Sequence, residues 1–140
     1  MKFFLKLVVV LLSVAVVYMV LTLGLSELGG EVATLVRPEP EGSSKNIRVW
    51  IVDSDGNSWI EHGDNESFWI KQLGDNSKLS LIREGKENKY LASADKESHD
   101  FYHNLRREKY AFADKMLDIL TFGATSKDNC PGIPIRLELL

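Results

Sequence analysis

The 140-residue sequence predicts an α+β protein: a small domain on a curled antiparallel sheet or barrel with inserted helices, preceded by one N-terminal transmembrane helix. Three observations predict it. Residues 7–25, LVVVLLSVAVVYMVLTLGL, carry no charge. Between residues 46 and 94, four short stretches rich in β-branched and aromatic residues are separated by turn residues. From Asp95 the apolar period lengthens to that of a helix, and an alternating stretch, IPIRLEL, follows at 133–139.

The apolar run comes first. A helix needs roughly 20 such residues to cross the hydrocarbon core of a bilayer. Lys2 and Lys6 precede the run while Glu27 and Glu31 follow it, which places the N-terminus in the cytoplasm and the domain on the exported side. Arg37, Lys45 and Arg48 also follow it and soften that asymmetry. A cleaved signal peptide is the alternative, with a small-residue site at Gly24-Leu25-Ser26, but its apolar core would be only roughly 7–15 residues. The sequence thus divides into an anchor or signal peptide, 1–26, an extended linker, 27–44, and a folded domain, 45–140. Pro38 and Pro40 beside glutamates mark the linker.

The rest of the composition is that of a globular domain, with 44% hydrophobic and 26% charged residues. A net charge of −3 offers no basic excess for a nucleic acid backbone. The single cysteine, Cys130, excludes an intrachain disulfide. No glycine-rich nucleotide fingerprint, P-loop or paired-cysteine motif is present.

Within the domain, NIRVWIVD (46–53) and SWIEH (58–62) read as strands, joined through the Asp-Gly of a tight hairpin. ESFWIKQL (66–73) spaces Phe68, Trp69 and Leu73 for one short helix face. KLSLIR (78–83) and NKYLASA (88–94) flank Glu84-Gly85 as a second hairpin. Asp95 suits the N-cap of a helix with Phe101, Tyr102 and Leu105 on its inner face, and residues 111–120 continue the helical pattern. A polar loop, 121–131, leads to the last strand. The predicted order is β-β-α-β-β-α-α-β.

Several stretches invite a chemical reading. DSDGNSWIEHGD, Asp53 to Asp64, fits a calcium loop at positions one, three, five and twelve. Ser58 stands where the pattern wants glycine, and a strand precedes the loop where a helix is required, so the stretch reads as a turn. His99 and His103 lie four apart on one helix face, a spacing that can hold zinc, with Asp95, His62 and Cys130 as the further ligands considered. The expectation adopted is a solvated face with no metal. Arg106 to Lys109 read as surface charge pairing. Cys130 and Ser43, Ser44 and Ser126 lack a context that would activate a nucleophile. Lys45, Arg48 and Lys71 supply charge near one end of the sheet, where an ordinary solvated face is one reading of them, and Trp50, Trp59 and Trp69 suit the core of a small β domain.

RVWIVDSDGNSWIEHG, FWIKQLGDNSKLSLIREGKENKYLA, REKYAFAD and PIRLEL, in that order, resemble the deazaflavin-dependent nitroreductase and quinone reductase family. The likeness spans Lys45 to Leu139. It implies a split β-barrel, akin to the flavin-binding oxidases of pyridoxamine phosphate. Trp69 matches the tryptophan of the family's first helix, Gln72 replaces its asparagine, and Lys109-Tyr110 matches the pair closing its long helix. Gly42-Ser-Ser-Lys45 and Arg48 stand where the family carries a basic Gly-Arg-x-Ser-Gly phosphate segment, without its arginine and second glycine. The resemblance implies a bound deazaflavin or FMN, its phosphate met by Lys45, Arg48, Lys71 and the amides of the turn at Gly63 and its ring flanked by Trp50, Trp59 and Trp69. It also implies a quinone or nitro-type substrate near the lipid, a pocket at Tyr110 and Trp69, and pairing into homodimers. The other reading is a barrel without catalysis that serves as a binding or assembly module at the membrane. If the resemblance extends to the cofactor, Lys45→Glu with Arg48→Glu abolishes cofactor retention while the domain stays folded. Unchanged retention removes the phosphate-site assignment.

Overall fold

The computed structural model describes residues 2–74 and 77–140. Met1, at the head of the predicted anchor, and Asp75 and Asn76, within a stretch quoted for the resemblance, lie outside the described residues. The first element, α1 (Lys2–Leu28), is long and apolar enough to cross a membrane, and its apolar window is not buried by the rest of the protein. Six strands follow: β1 (Val32–Pro38), β2 (Ser44–Ser54), β3 (Asn57–Glu61), β4 (Ser77–Arg83), β5 (Lys86–Ala94) and β6 (Pro134–Leu139). They close into a barrel in the order β1-β2-β3-β6-β5-β4, every neighbouring pair antiparallel. The short α2 (Phe68–Gln72) follows β3, and α3 (His99–Leu120) follows β5.

The barrel has one strand more than the sequence predicts. The segment 27–44, expected as an extended linker, carries β1, which pairs with β2 on one side and β4 on the other. Ala33 and Leu35 of this strand are fully buried. The prolines and glutamates that suggest a connector stand at its end and in the turn to β2, where Gly42 adopts a positive φ of 76°. The remaining strands fall where their alternation puts them.

Two apolar clusters follow from that alternation. Ile51 of β2 is paired with Ile60 of β3, and both join the barrel interior with Leu35, Leu81, Ile135 and Leu137. The next pair, Val52 and Trp59, packs on the outer wall against Tyr102 and Tyr110 of α3. Trp69 and Ile70 of α2 join the interior cluster. Both predicted hairpins have left-handed central residues, Asp55-Gly56 (φ 49° and 80°) and Glu84-Gly85 (φ 52° and 76°), the geometry that suits a two-residue turn. The calcium-like stretch is such a turn. Its terminal carboxylates serve different partners: Asp53 accepts from Ser58 and Arg83, and Asp64 from Ser67 and the Glu66 amide.

Asp95 caps the 3-10 turn that opens α3, accepting from the Ser98 amide and hydroxyl. The helix breaks at Ala111, whose φ of 38° and ψ of −100° are non-helical. Residues 99–110 lie over the barrel wall and residues 112–120 turn toward α1.

An ion cluster fastens the start of β1 to the ends of β2 and β4. Arg83 donates to Glu31 and to both oxygens of Asp53, and Lys109 of α3 reaches Glu31 and the Ile51 carbonyl. Burial would raise the Asp53 carboxyl, but Arg83 and Ser58 outweigh it and hold it at about 2 against an ordinary 3.8. A depressed folded value stabilises the fold fully above the unfolded value and is lost as pH falls through the folded one. Stability is therefore expected to decline between pH 3.8 and about 2, and Asp53→Asn should flatten that decline in urea midpoints measured across the range.

Candidate functional site

A cleft of about 290 Å³ opens between the outer barrel wall and α3. Trp50, Glu61, Tyr102, Arg106, Leu117 and Cys130 are among its lining residues. Glu61 stands at the end of β3, two residues beyond Trp59, so both side chains project from the wall that α3 covers. At this end of the cleft four chemically versatile side chains converge. Glu61, His99 and His103 on the first turns of α3, and Cys130 in the loop before β6 each place one ligand-capable atom within 4.8 Å of the others.

Their polar atoms are incompletely satisfied. The Cys130 thiol donates to Glu61 Oε1 at 2.8 Å. Glu61 Oε2 and His103 Nε2 lie 3.2 Å apart, yet neither is aligned for a hydrogen bond and both stay unpartnered. His99 Nε2 is a third buried atom without a partner. Burial would raise the Glu61 carboxyl; His103 and the Cys130 thiol outweigh it and hold the group below its usual range. Burial, with Glu61 adding to it, pushes the Cys130 thiol up to about 11. The backbone is fitted closely here. A Cβ at Gly132 would fall 2.0 Å from Glu61 Oε1.

This arrangement corrects two expectations. The histidine face of α3 is not solvated: His103 is only 5% exposed, because the helix lies directly on the barrel. The charge run after it is not wholly a surface feature either. Arg106 is buried, donating to Asp114 Oδ1 at 2.7 Å and to the Thr125 carbonyl at 2.6 Å, across the break at Ala111. Arg107 pairs with both Asp114 and Asp118. Of the residues weighed as zinc ligands, Cys130 joins the histidines. Asp95 caps the 3-10 turn ahead of α3 instead, and His62 Nε2 meets Arg37 at 3.0 Å. An arginine can only donate, so His62 Nε2 accepts; burial and the charges of Arg37 and Lys45 push this histidine's pKa down.

The residues expected to hold a flavin-type phosphate do not assemble into one cradle. Arg48 is bound to Glu27 and Thr34, and Lys71 to Glu66. Lys45, exposed on β2, alternates to the opposite face of that strand from Arg48. Gly63, at φ 103°, lies beside Trp69, which is buried as part of the barrel core. The other tryptophans are engaged as well. Trp50 stacks on Tyr110 with centroids 4.2 Å apart and donates to the Ser26 carbonyl, while Trp59 meets the edge of Phe101.

Tyr110 has a structural task. Ile51 lies one residue beyond Trp50, the last β2 residue paired with β1. There the Tyr110 hydroxyl accepts from the Ile51 amide at 2.9 Å and offers its proton to the carbonyls of Glu31 (2.6 Å) and Ile51 (2.9 Å). It substitutes for the missing strand, and burial raises its pKa to about 12. No protein-family model and no curated protein matches the chain. Tyr110→Phe should cost about 1–3 kcal/mol, the price of leaving the Ile51 amide unpaired, in reversible denaturation of the domain.

Proposed function

We propose that the protein is a membrane-tethered binding module: a barrel held against the bilayer surface that offers the cleft beside α3 to a small molecule from the lipid boundary. The observation that carries this reading is the seating of α3 on α1. A Cβ at Gly29 would fall 2.3 Å from Ala113, and one at Gly30 would fall 2.5 Å from the Tyr110 ring, so both glycines sit hard against α3. Farther back along α1, the Tyr18 hydroxyl donates to the Leu120 carbonyl at 2.6 Å. The second half of α3, from Ala113 to Leu120, therefore runs antiparallel to α1 over roughly 10 Å at about 1.5 Å per residue, toward the apolar run.

The outward side of that segment suits a lipid boundary. Phe112 and Ile119 of that segment and Phe122 in the turn after it are 69%, 66% and 95% exposed, with the exposed Lys115 between the first two. Asp114 and Asp118 are turned inward onto Arg106 and Arg107. An apolar face on a helix beside a spanning segment is the pattern of interfacial insertion. The contacts Tyr18–Leu120 and Ser26–Trp50 favour an α1 that is retained, since cleavage after residue 26 would remove them. At about 290 Å³ the cleft is at the lower end for small-molecule sites, which suits a head group or single small ring system.

A second reading is favoured by one observation. The closed barrel with helices after β3 and β5 has the architecture that the split-barrel resemblance implies, and that reading is a deazaflavin- or FMN-dependent reductase of quinone or nitro-type acceptors. Shape alone does not transfer chemistry.

Two measurements on full-length protein test these readings. A fluorophore introduced at position 122 through a bioorthogonal non-natural amino acid, with Cys130 left in place and in liposomes, should be quenched by nitroxide-bearing lipid, whereas the same label at position 86 on the β4–β5 hairpin should not. Equal, weak quenching at both positions would refute the bilayer-apposed placement. Titration with FMN and a deazaflavin should give no saturable binding; saturation in the micromolar range, about −8 kcal/mol, would put the reductase reading first.

A further inference from the structure

We infer that Glu61, His99, His103 and Cys130 form a binding site for one divalent transition-metal ion of the zinc type, which pins α3 and the loop before β6 to the barrel wall. This inference is independent of the lipid-facing placement. It rests on three features of the cluster.

The first is spacing. Zinc sits about 2.0–2.3 Å from nitrogen, oxygen and sulfur ligands, so ligand atoms in a tetrahedron lie roughly 3.3–3.8 Å from one another. The four candidate atoms already fall within 4.8 Å of one another. Closing the remaining distance takes an inward shift of about 1 Å or less, within the reach of small side-chain rotations. His99 and His103 share a helix face at the i, i+4 spacing that brings two imidazoles to one ion.

The second is the set of unpartnered atoms. Glu61 Oε2, His99 Nε2 and His103 Nε2 are buried without hydrogen bonds, and they come from two different elements yet meet at one place. Buried polar atoms are almost always paired. Glu61 Oε2 and His103 Nε2 lie 3.2 Å apart but are not hydrogen-bonded, so the Cys130–Glu61 contact leaves all three atoms unused. An ion at their common point would use all of them. The His103 and Glu61 side chains are only 3% and 7% exposed, so water does not readily substitute.

The third is the donor set. Two imidazoles, a thiolate and a carboxylate exclude calcium and magnesium, which take oxygen, and suit zinc or cobalt. Four protein ligands fill a tetrahedron, which is the arrangement of a structural centre and leaves no open position for catalysis. On binding, the Cys130 thiol gives its proton to solvent and its sulfur bonds the ion, while both imidazoles bind as neutral ligands. Gly132 is part of the design: any side chain there would collide with the Glu61 carboxylate.

The test uses full-length protein in detergent, purified under reducing conditions, stripped with chelator and titrated with Co²⁺ and then Zn²⁺. One equivalent of cobalt should produce the intense visible bands of a tetrahedral site and a near-ultraviolet thiolate-to-cobalt band, and zinc should bleach both. Cys130→Ser should remove the thiolate band. His103→Ala should weaken binding by more than the ~10–100-fold that loss of an outer-shell partner costs. Absence of a tetrahedral spectrum in the unmodified protein overturns the assignment without reference to any variant. So does a spectrum that Cys130→Ser and His103→Ala both leave unchanged.

Discussion

The wall formed by β2 and β3 is apolar on both sides, and the rest of the molecule is arranged around that fact. Ile51 and Ile60 point into the barrel, while Val52 and Trp59 point out of it. A strand pair with only one buried face can leave the other to water; this one cannot. Tyr102 and Tyr110 of α3 complete the outer cluster, and each large side chain removed from water there is worth about 1.5–3 kcal/mol of transfer free energy. Docking of α3 is therefore a requirement of the barrel itself.

Once α3 is fixed by Tyr102 and Tyr110, the residues between them have little choice of position. His103 lies over Glu61, and Arg106 is carried into a site where Asp114 and the Thr125 carbonyl must receive it. A buried guanidinium without a carboxylate would be costly, so the segment after Ala111 has to return Asp114 to it. The unusual backbone at Ala111 is the means: a φ of 38° for an alanine is strained, and persists because Arg106, Tyr110 and Ala113 are all held by neighbours. The same bend sends the remainder of the helix along α1. Barrel wall, buried ion pair and the helical segment beside α1 are thus consequences of one packing surface.

Much of this was legible in the residues. Both hairpins were marked by a glycine in the turn, the start of the long helical stretch by Asp95, which caps the 3-10 turn leading into it, and the last strand by alternation. The strand Val32–Pro38 was hidden because its inward positions are filled by a small Ala33 and a single Leu35, beside a proline-rich turn that dominates the local composition. The site was less legible. Pairing His99 with His103 required only helical spacing, but Glu61 and Cys130 are brought to them by tertiary contacts 69 residues apart along the chain. One signal for Glu61 did exist: it shares the outward parity of Trp59, and a carboxylate on a face about to be covered by a helix needs a partner. Arg106 looked like a surface charge because no local feature of RREK distinguishes a residue that will meet an aspartate eight positions later.

Closure of the barrel has a further effect. An open sheet ends in two strands with unpaired amides and carbonyls, and those edges recruit further strands. Here β1 is paired with β4 as well as β2, and the ring has no first or last strand. Growth by adding a strand at an open edge is thereby closed to this barrel, and only its side-chain surfaces are left to meet another molecule.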